Sequence, residues 1–235
     1  MIQFCSSWTP LDEMIADYFD QGQAESVLVR SDIGGVEYLT GDLLFRKDGI
    51  THIENYASEL CKGKVLDIGA GAGALSLILS KSGFEVYPVE VCTKAVQVMK
   101  NRGLSSARNI NFWDIQNEKY DTLFLMMNGI GFVGSIKQLH EFFEKAKNII
   151  AEGGQILLDS SNIKHQLIQA NREEIYETEP GEVTYSLKYK NFQGRPYKWL
   201  FIEFESLRVL ALKYGLIAQK IFEENDQYLA RIVIK

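Results

Sequence analysis

The sequence predicts an α/β protein: a doubly wound, mostly parallel sheet of seven strands with a C-terminal antiparallel strand pair, an N-terminal cap and an inserted β-hairpin. Three observations predict it. From Lys64 onward, short apolar runs of strand length alternate with longer stretches of helical periodicity. At the head of that series Val65, Leu66 and Ile68 run straight into Gly69, Gly71 and Gly73, so a buried strand must turn sharply into a helix. At its end two β-patterned runs, residues 216–222 and 228–234, flank the turn residues Asn225 and Asp226.

In chain order, residues 10–20 place Leu11, Met14, Ile15, Tyr18 and Phe19 on one face of a helix, with Thr9 before Pro10 as its expected cap. Residues 24–46 suggest short extended pieces around Gly34 and Gly35. Ile50, Ile53, Ala57 and Leu60 give a helix leading into Gly63 and the first strand. After the glycines, Leu75, Leu77, Ile78 and Leu79 continue as a helix. Phe84, Val86, Pro88 and Val89 form the second strand, which ends in Glu90. A helix over 94–101 stops at Gly103, and residues 110–113 read as a third strand. Residues 123–127 read as a buried fourth strand whose carboxyl end is Asn128, Gly129, Ile130 and Gly131, where open parallel sheets place ligands. A helix over 136–150 stops at Gly153 and Gly154, and 155–159 is the fifth strand. A last helix over 204–214 precedes the terminal strand pair.

The stretch from about 162 to 202 stands outside this alternation. Val183, Tyr185, Leu187 and Tyr189 alternate with polar residues, as do Tyr197, Trp199 and Phe201, and residues 191–194 read as the turn between them. The expected division is a cap over 1–60 and a core over 61–235, with the hairpin inserted at about 162–202. The charged cluster at 172–174 reads as a solvated face.

A chain of 235 residues with 46% hydrophobic and 24% charged side chains is long enough for a large core and has a soluble composition. The net charge of -6 opposes a nonspecific nucleic-acid surface, which needs basic side chains to displace counterions. Cys5, Cys61 and Cys92 are far apart and lack histidines at metal-ligand spacing, so neither a disulfide framework nor a zinc site is expected, and a cytoplasmic location is. No apolar run approaches the ~18 residues of a membrane span, and the N-terminus lacks signal-peptide character.

Glycines between a strand end and a helix start let a ligand approach bare backbone, where unpaired N–H groups carry a partial positive charge. The spacing alone is ambiguous, because Gly69, Gly71 and Ala74 also satisfy the dinucleotide pattern. Asp67 narrows it: a carboxylate there repels a pyrophosphate and attracts a cation. S-adenosylmethionine carries an ammonium and a sulfonium and no phosphate.

The run VLDIGAGAG resembles the first motif of the class I, Rossmann-like S-adenosylmethionine-dependent methyltransferases, an acid followed by three spaced glycines. The resemblance covers about residues 61–235. It implies that Glu90, ~20 residues after the glycines, accepts the ribose hydroxyls, and that Asp114 stands near the adenine amino group. The cofactor contacts expected are therefore Asp67, Gly69, Ala70, Gly71, Gly73, Glu90, Val91, Asp114 and Ile115, together with Asn128 and with Arg46, whose donor fork suits the cofactor's carboxylate.

The reaction implied is in-line methyl transfer from an activated sulfonium, in which alignment of the two reactants can contribute up to ~7–11 kcal/mol. The acceptor side is correspondingly faint. Asn128 holds the position from which the family often orients its acceptor, and the Pro-Pro-aromatic continuation of base-methylating enzymes is absent. A small-molecule acceptor is expected. Of His52, His140 and His165, the last follows the fifth strand most closely and is the candidate general base. The cap and the hairpin, with Tyr189 and Trp199 as candidates, are expected to select the acceptor. Two other functions fit parts of the pattern: a noncatalytic S-adenosylmethionine-binding protein, and a nicotinamide-dependent oxidoreductase that leaves Asp67 and Asp114 unexplained.

Overall fold

A computed structural model describes residues 2–170 and 181–235, and the charged cluster at 172–174 lies outside the described residues. The N-terminal segment supplies β1 (Gln3–Cys5), α1 (Thr9–Gln21), β2 (Val27–Ser31), β3 (Val36–Leu39), α2 (Gly41–Phe45) and α3 (His52–Glu59). Thr9 lies within α1 rather than capping it, and Trp8 flanks the helix without a side-chain cap. At α3, Thr51 and Glu54 form a reciprocal capping box, satisfying two otherwise unpaired N–H groups.

The central part runs β4 (Lys64–Ile68), α4 (Ala74–Lys81), β5 (Glu85–Glu90), α5 (Thr93–Asn101), β6 (Arg108–Asn109), β7 (Tyr120–Leu125), α6 (Ile136–Ile149) and β8 (Ile150–Ser161). The chain then makes α7 (Lys164–Gln169), β9 (Glu182–Tyr189), β10 (Phe192–Gly194), β11 (Tyr197–Leu200), α8 (Phe204–Lys213), β12 (Leu216–Glu224) and β13 (Gln227–Ile234).

Among the described residues two sheets form. The larger has seven strands in the order β12-β13-β8-β7-β4-β5-β6, parallel from β6 to β8 and antiparallel through β13 and β12. Its central strands alternate between two covered faces. Leu66, Ile156 and Leu158 pack with Leu139, Phe142 and Phe143 of α6 and Leu207 of α8, whereas Val65 and Leu157 pack with Ile53 and Ala57 of α3 and Leu75 and Leu79 of α4. Near-continuous apolar strands are what burial on both faces demands, each fully buried aliphatic side chain contributing roughly 1.5–3 kcal/mol.

The third strand is shorter than its apolar residues suggested. Only Arg108 and Asn109 pair with β5, and Phe112–Asp114 form a 3-10 turn. The Asn111 side chain accepts the Trp113 N–H at 3.2 Å, which favours a turn over a ladder, and Phe112 points into the core instead.

The insert also differs in detail. Residues 192–194, expected as turn, pair with β9 as β10, and β11 pairs with the first half of β9 from Tyr197↔Tyr185 to Leu200↔Glu182. This ribbon joins the N-terminal segment: β2 pairs β9, β1 pairs β10 and β3 pairs β2, giving a second sheet. Part of its inner face packs on α1, where Met14 meets Val27, Val29, Leu187 and Tyr189. Helix α1 in turn docks on α5, with Asp12 accepting the Ala95 N–H at 2.8 Å and Glu13 pairing with Lys94 at 2.7 Å. The second sheet is thereby held over the carboxyl edge of the first. No helix among the described residues is long and apolar enough to cross a membrane.

Candidate active site

The turn after β4 presents backbone to a cavity of about 490 Å³, within the range of small-molecule sites. Gly69 and Gly71 have φ of 74° and 54°, and a Cβ on either would point into open space. Side chains are disfavoured there by conformation, and their absence leaves the ligand room. Gly73 does something else. Its φ is 75°, and a Cβ would meet Met99 Cγ at 2.6 Å and Leu104 Cδ1 at 2.7 Å, so it closes α4 onto α5 and does not line the cavity.

Asp67, 5% exposed, accepts from Ser76 Oγ at 2.5 Å. Burial pushes its carboxyl up to about 6, partly opposed by that hydrogen bond. Glu90 stands at the end of β5. Its carboxylate accepts from the N–H groups of Gly71 at 3.0 Å, Val91 at 2.7 Å and Cys92 at 3.1 Å. Burial raises its pKa against the pull of these backbone donors.

Asp67, Gly69, Ala70, Gly71, Glu90, Val91, Asn128 and Arg46, all expected as cofactor contacts, line this one cavity. Asp114 and Ile115 do not. The 3-10 turn leaves Asp114 exposed and sends Ile115, fully buried, into the core, while Asn111, Phe112 and Trp113 line the cavity instead. Arg46 is already engaged: its Nε lies 3.1 Å from both carboxylate oxygens of Glu54, and Nη1 donates to the Leu43 carbonyl. The pair is buried, so much of the fork intended for a cofactor carboxylate is held by Glu54.

The carboxyl end of β7 is unusual. Met127 and Asn128 both adopt left-handed backbone, with φ of 64° and 52°, a costly pair for residues other than glycine and one that aims them at the cavity. Asn128 Oδ1 accepts from Ser161 Oγ at 2.7 Å, which leaves its amide N–H groups to offer. Behind it lies a second cavity of about 470 Å³ that also touches Arg46, Glu54 and Asp159. Asp159 is fully buried, accepts from Gly129 N–H at 3.3 Å and Gln227 Nε2 at 2.5 Å, and is pushed up to about 6 by burial.

The expected general base is not brought to the site. Leu167 packs α7 against Val183 and Ile163, and His165, two residues earlier, lies round the helix from that face and is exposed. His52 sits 3.1 Å from Glu224 and His140 2.6 Å from the Tyr214 hydroxyl, and neither lines the cavity.

The far end of the cavity is aromatic. Trp8, Phe132, Tyr185, Tyr197, Trp199 and Phe201 line it, most of them from the second sheet and its approaches. Trp199 reaches in because Gly131 has no side chain: a Cβ there would fall 1.9 Å from its Nε1. Tyr189, grouped with Trp199 by the alternation, is buried beneath α1 with its hydroxyl donating to Asp17 at 2.8 Å. It packs and does not line. Trp8 and Asn111 carried no sequence signal for this site.

Backbone open at two glycines, a carboxylate at the neighbouring strand end and a buried acid beneath them fit a nucleoside with a free ribose diol and a cationic tail. The comparisons agree. Residues 45–216 match a family described as a methyltransferase domain. A crystal structure of an S-adenosylmethionine-dependent methyltransferase from Bacteroides fragilis, in complex with S-adenosyl-L-homocysteine, is 31% identical with a TM-score of 0.89, covering 100% of this chain and 98% of that one. The CcbJ methyltransferase from Streptomyces caelestis shares the fold at 14% identity and a TM-score of 0.65, covering 96% and 98%. A 23S rRNA (uracil(747)-C(5))-methyltransferase from Pyrococcus horikoshii is 32% identical over 105 residues, 41% of this chain and 26% of its own length. A ubiquinone biosynthesis O-methyltransferase from Idiomarina loihiensis is 35% identical over 60 residues, 26% of this chain and 25% of its own. The chain spans about a quarter of the length of these curated relatives. With its strand order, its glycine turn and the match over most of its length, the chain belongs to the methyltransferase-domain family, as a class I, S-adenosylmethionine-dependent member.

Proposed function

We propose that the protein transfers a methyl group from S-adenosylmethionine to a small molecule held under the second sheet. The observation that carries this reading is the continuity of one cavity from the glycine turn and Glu90 to the aromatic wall of Trp8, Tyr185, Tyr197 and Trp199. A noncatalytic binder would not need the second end, and the nicotinamide alternative falls with family membership.

When bound, the cofactor supplies an already activated methyl group. The chain's own part is then to hold and to exclude. Glu90 accepts hydroxyls, Gly69 and Gly71 admit the ligand to the backbone, Asp67 supplies negative charge, and Asn128 offers its amide N–H at the edge from which an acceptor approaches. Gly73 supports the turn by packing. The roof keeps water from the reacting groups, and alignment supplies the rate enhancement.

A nucleic-acid acceptor, as in the rRNA-modifying relative, is disfavoured by charge. Among the described residues lining the cavity Arg46 is the one cation, and Glu54 holds it. Phosphate contacts need more than that. The three free cysteines, two of them buried, fit a reducing compartment, and we place the protein in the cytoplasm. Tritiated S-adenosylmethionine with a metabolite panel and with total RNA tests the reading. Label in small molecules supports it, and label in RNA with strongly salt-dependent binding would overturn it.

A further inference from the structure

Strand pairing decides which side chains share the inner face of the second sheet. Val29 pairs with both Leu187 and Glu37, and Tyr185 pairs with Tyr197. Because side chains alternate, Val29, Glu37, Leu39, Tyr185, Tyr197 and Trp199 fall on one face, and all six line the cavity. Among apolar and aromatic neighbours Glu37 is out of place. It is exposed to the cavity and has no hydrogen bond or ion pair among the described residues.

The aromatic wall is continuous. Trp8 and Tyr197 have ring centroids 4.4 Å apart, Tyr185 stacks on Tyr197 at 6.1 Å, and Trp199 stands edge-on to Trp8 at 5.9 Å. Ring faces carry negative quadrupole potential and attract cations. The hydroxyls of Tyr185 and Tyr197 have no hydrogen-bond partner among the described residues, and burial holds both in the neutral form. The charges point the same way. Glu37, Asp67 and Glu90 line the cavity against a single arginine that Glu54 already holds. A carboxylate or phosphate acceptor would find no counter-ion. A neutral phenol would account for the rings and leave Glu37 without a role.

We infer that the methyl acceptor is a small amine, received against the wall of Trp8, Tyr185, Tyr197 and Trp199 with Glu37 as its counter-ion. This rests on the methyl-transfer reading and names its substrate class. In the transfer the deprotonated nitrogen's lone pair forms the new N–C bond as the methyl carbon's bond to sulfur breaks. Sulfur keeps that electron pair as a thioether, and a proton shed by the amine passes to solvent at the cavity mouth near Glu37.

The test needs a readout independent of turnover. All three tryptophans, Trp8, Trp113 and Trp199, line the cavity, so intrinsic fluorescence reports on it. The full chain, saturated with S-adenosylhomocysteine, is titrated with phenyltrimethylammonium and with tert-butylbenzene, its neutral isostere of the same shape. The cation should bind at least ~10-fold more tightly, as a desolvated cation–π contact allows. Glu37→Gln should cut that preference roughly 2–5-fold, the reach of a solvent-exposed charge, with S-adenosylhomocysteine affinity unchanged. Equal or tighter binding of the isostere, or a preference indifferent to Glu37→Gln, overturns the inference. Tritiated transfer to primary and secondary amines over matched alcohols supports it, and the reverse order overturns it. Failure of S-adenosylhomocysteine itself to bind would bring down the methyl-transfer reading first, and so identifies which of the two has failed.

Discussion

Gly131→Ala is a one-carbon change whose effect follows from geometry. The new Cβ would lie 1.9 Å from Trp199 Nε1 and 2.3 Å from its Cδ1 and Cε2. Non-bonded heavy atoms settle near 3.5–4.0 Å, so the indole must withdraw by about 1.5 Å. Gly131 is not one of the left-handed positions, so alanine itself fits the backbone and the cost is steric. Overpacking of this kind costs about 1–3 kcal/mol, and for a chain of this size each kcal/mol lowers Tm by about 2–4 °C. The assay is a double-mutant cycle by thermal unfolding. Trp199→Leu removes the ring that clashes, so the double variant should be more stable than the sum of the singles by about 1 kcal/mol or more. Acceptor turnover should fall in the alanine variant, while S-adenosylhomocysteine affinity holds, because Glu90 and the glycine turn are untouched. An unchanged Tm in Gly131→Ala, or strict additivity in the cycle, would refute the placement of Trp199 against this turn.

Glu90→Ala should weaken S-adenosylhomocysteine binding by ~1.5–3 kcal/mol in calorimetry, the worth of hydrogen bonds to a charged group, and unchanged affinity would remove Glu90 from the site. Tyr189→Ala should cost about 3–5 kcal/mol of stability as a core truncation without a selective effect on the acceptor, whereas Trp199→Ala should impair acceptor turnover at preserved cofactor affinity. Asp159 gives a pH prediction. Its pKa is raised from 3.8 to about 6 by burial, so the native state binds the extra proton and this group's contribution to stability falls as pH rises between those values. Asp159→Asn, which cannot ionise, should therefore gain on the wild type by up to about 3 kcal/mol between pH 4 and pH 7 in urea melts, and a pH-independent difference would contradict it.

The sequence by itself determined the strand–turn–helix at which we place the cofactor. The positions of Asp67, Gly69, Gly71 and Glu90 were legible because they depend on local conformation: positive φ at glycine, a strand end, and a carboxylate at a fixed distance along the chain. It also determined the seven-stranded core, since burial on both faces writes itself into continuous apolar runs. It did not fix where Asp114 falls, because residues 112–114 make a 3-10 turn, with the Asn111 side chain accepting the Trp113 N–H, where the apolar pattern suggested a strand. Nor could it tell Trp199 from Tyr189. Alternation put both on one face of the ribbon, but which part of that face is roof and which is core depends on where α1 lies across it. The aromatic end of the cavity was decided by tertiary structure alone, through the pairing of β2 with β9. Those strands stand more than a hundred residues apart, and a one-residue slip in their register would put Glu37 and the aromatic wall on opposite faces of the sheet. Local dihedral preference is carried residue by residue, whereas register is a property of two distant segments meeting, and only the folded chain supplies it.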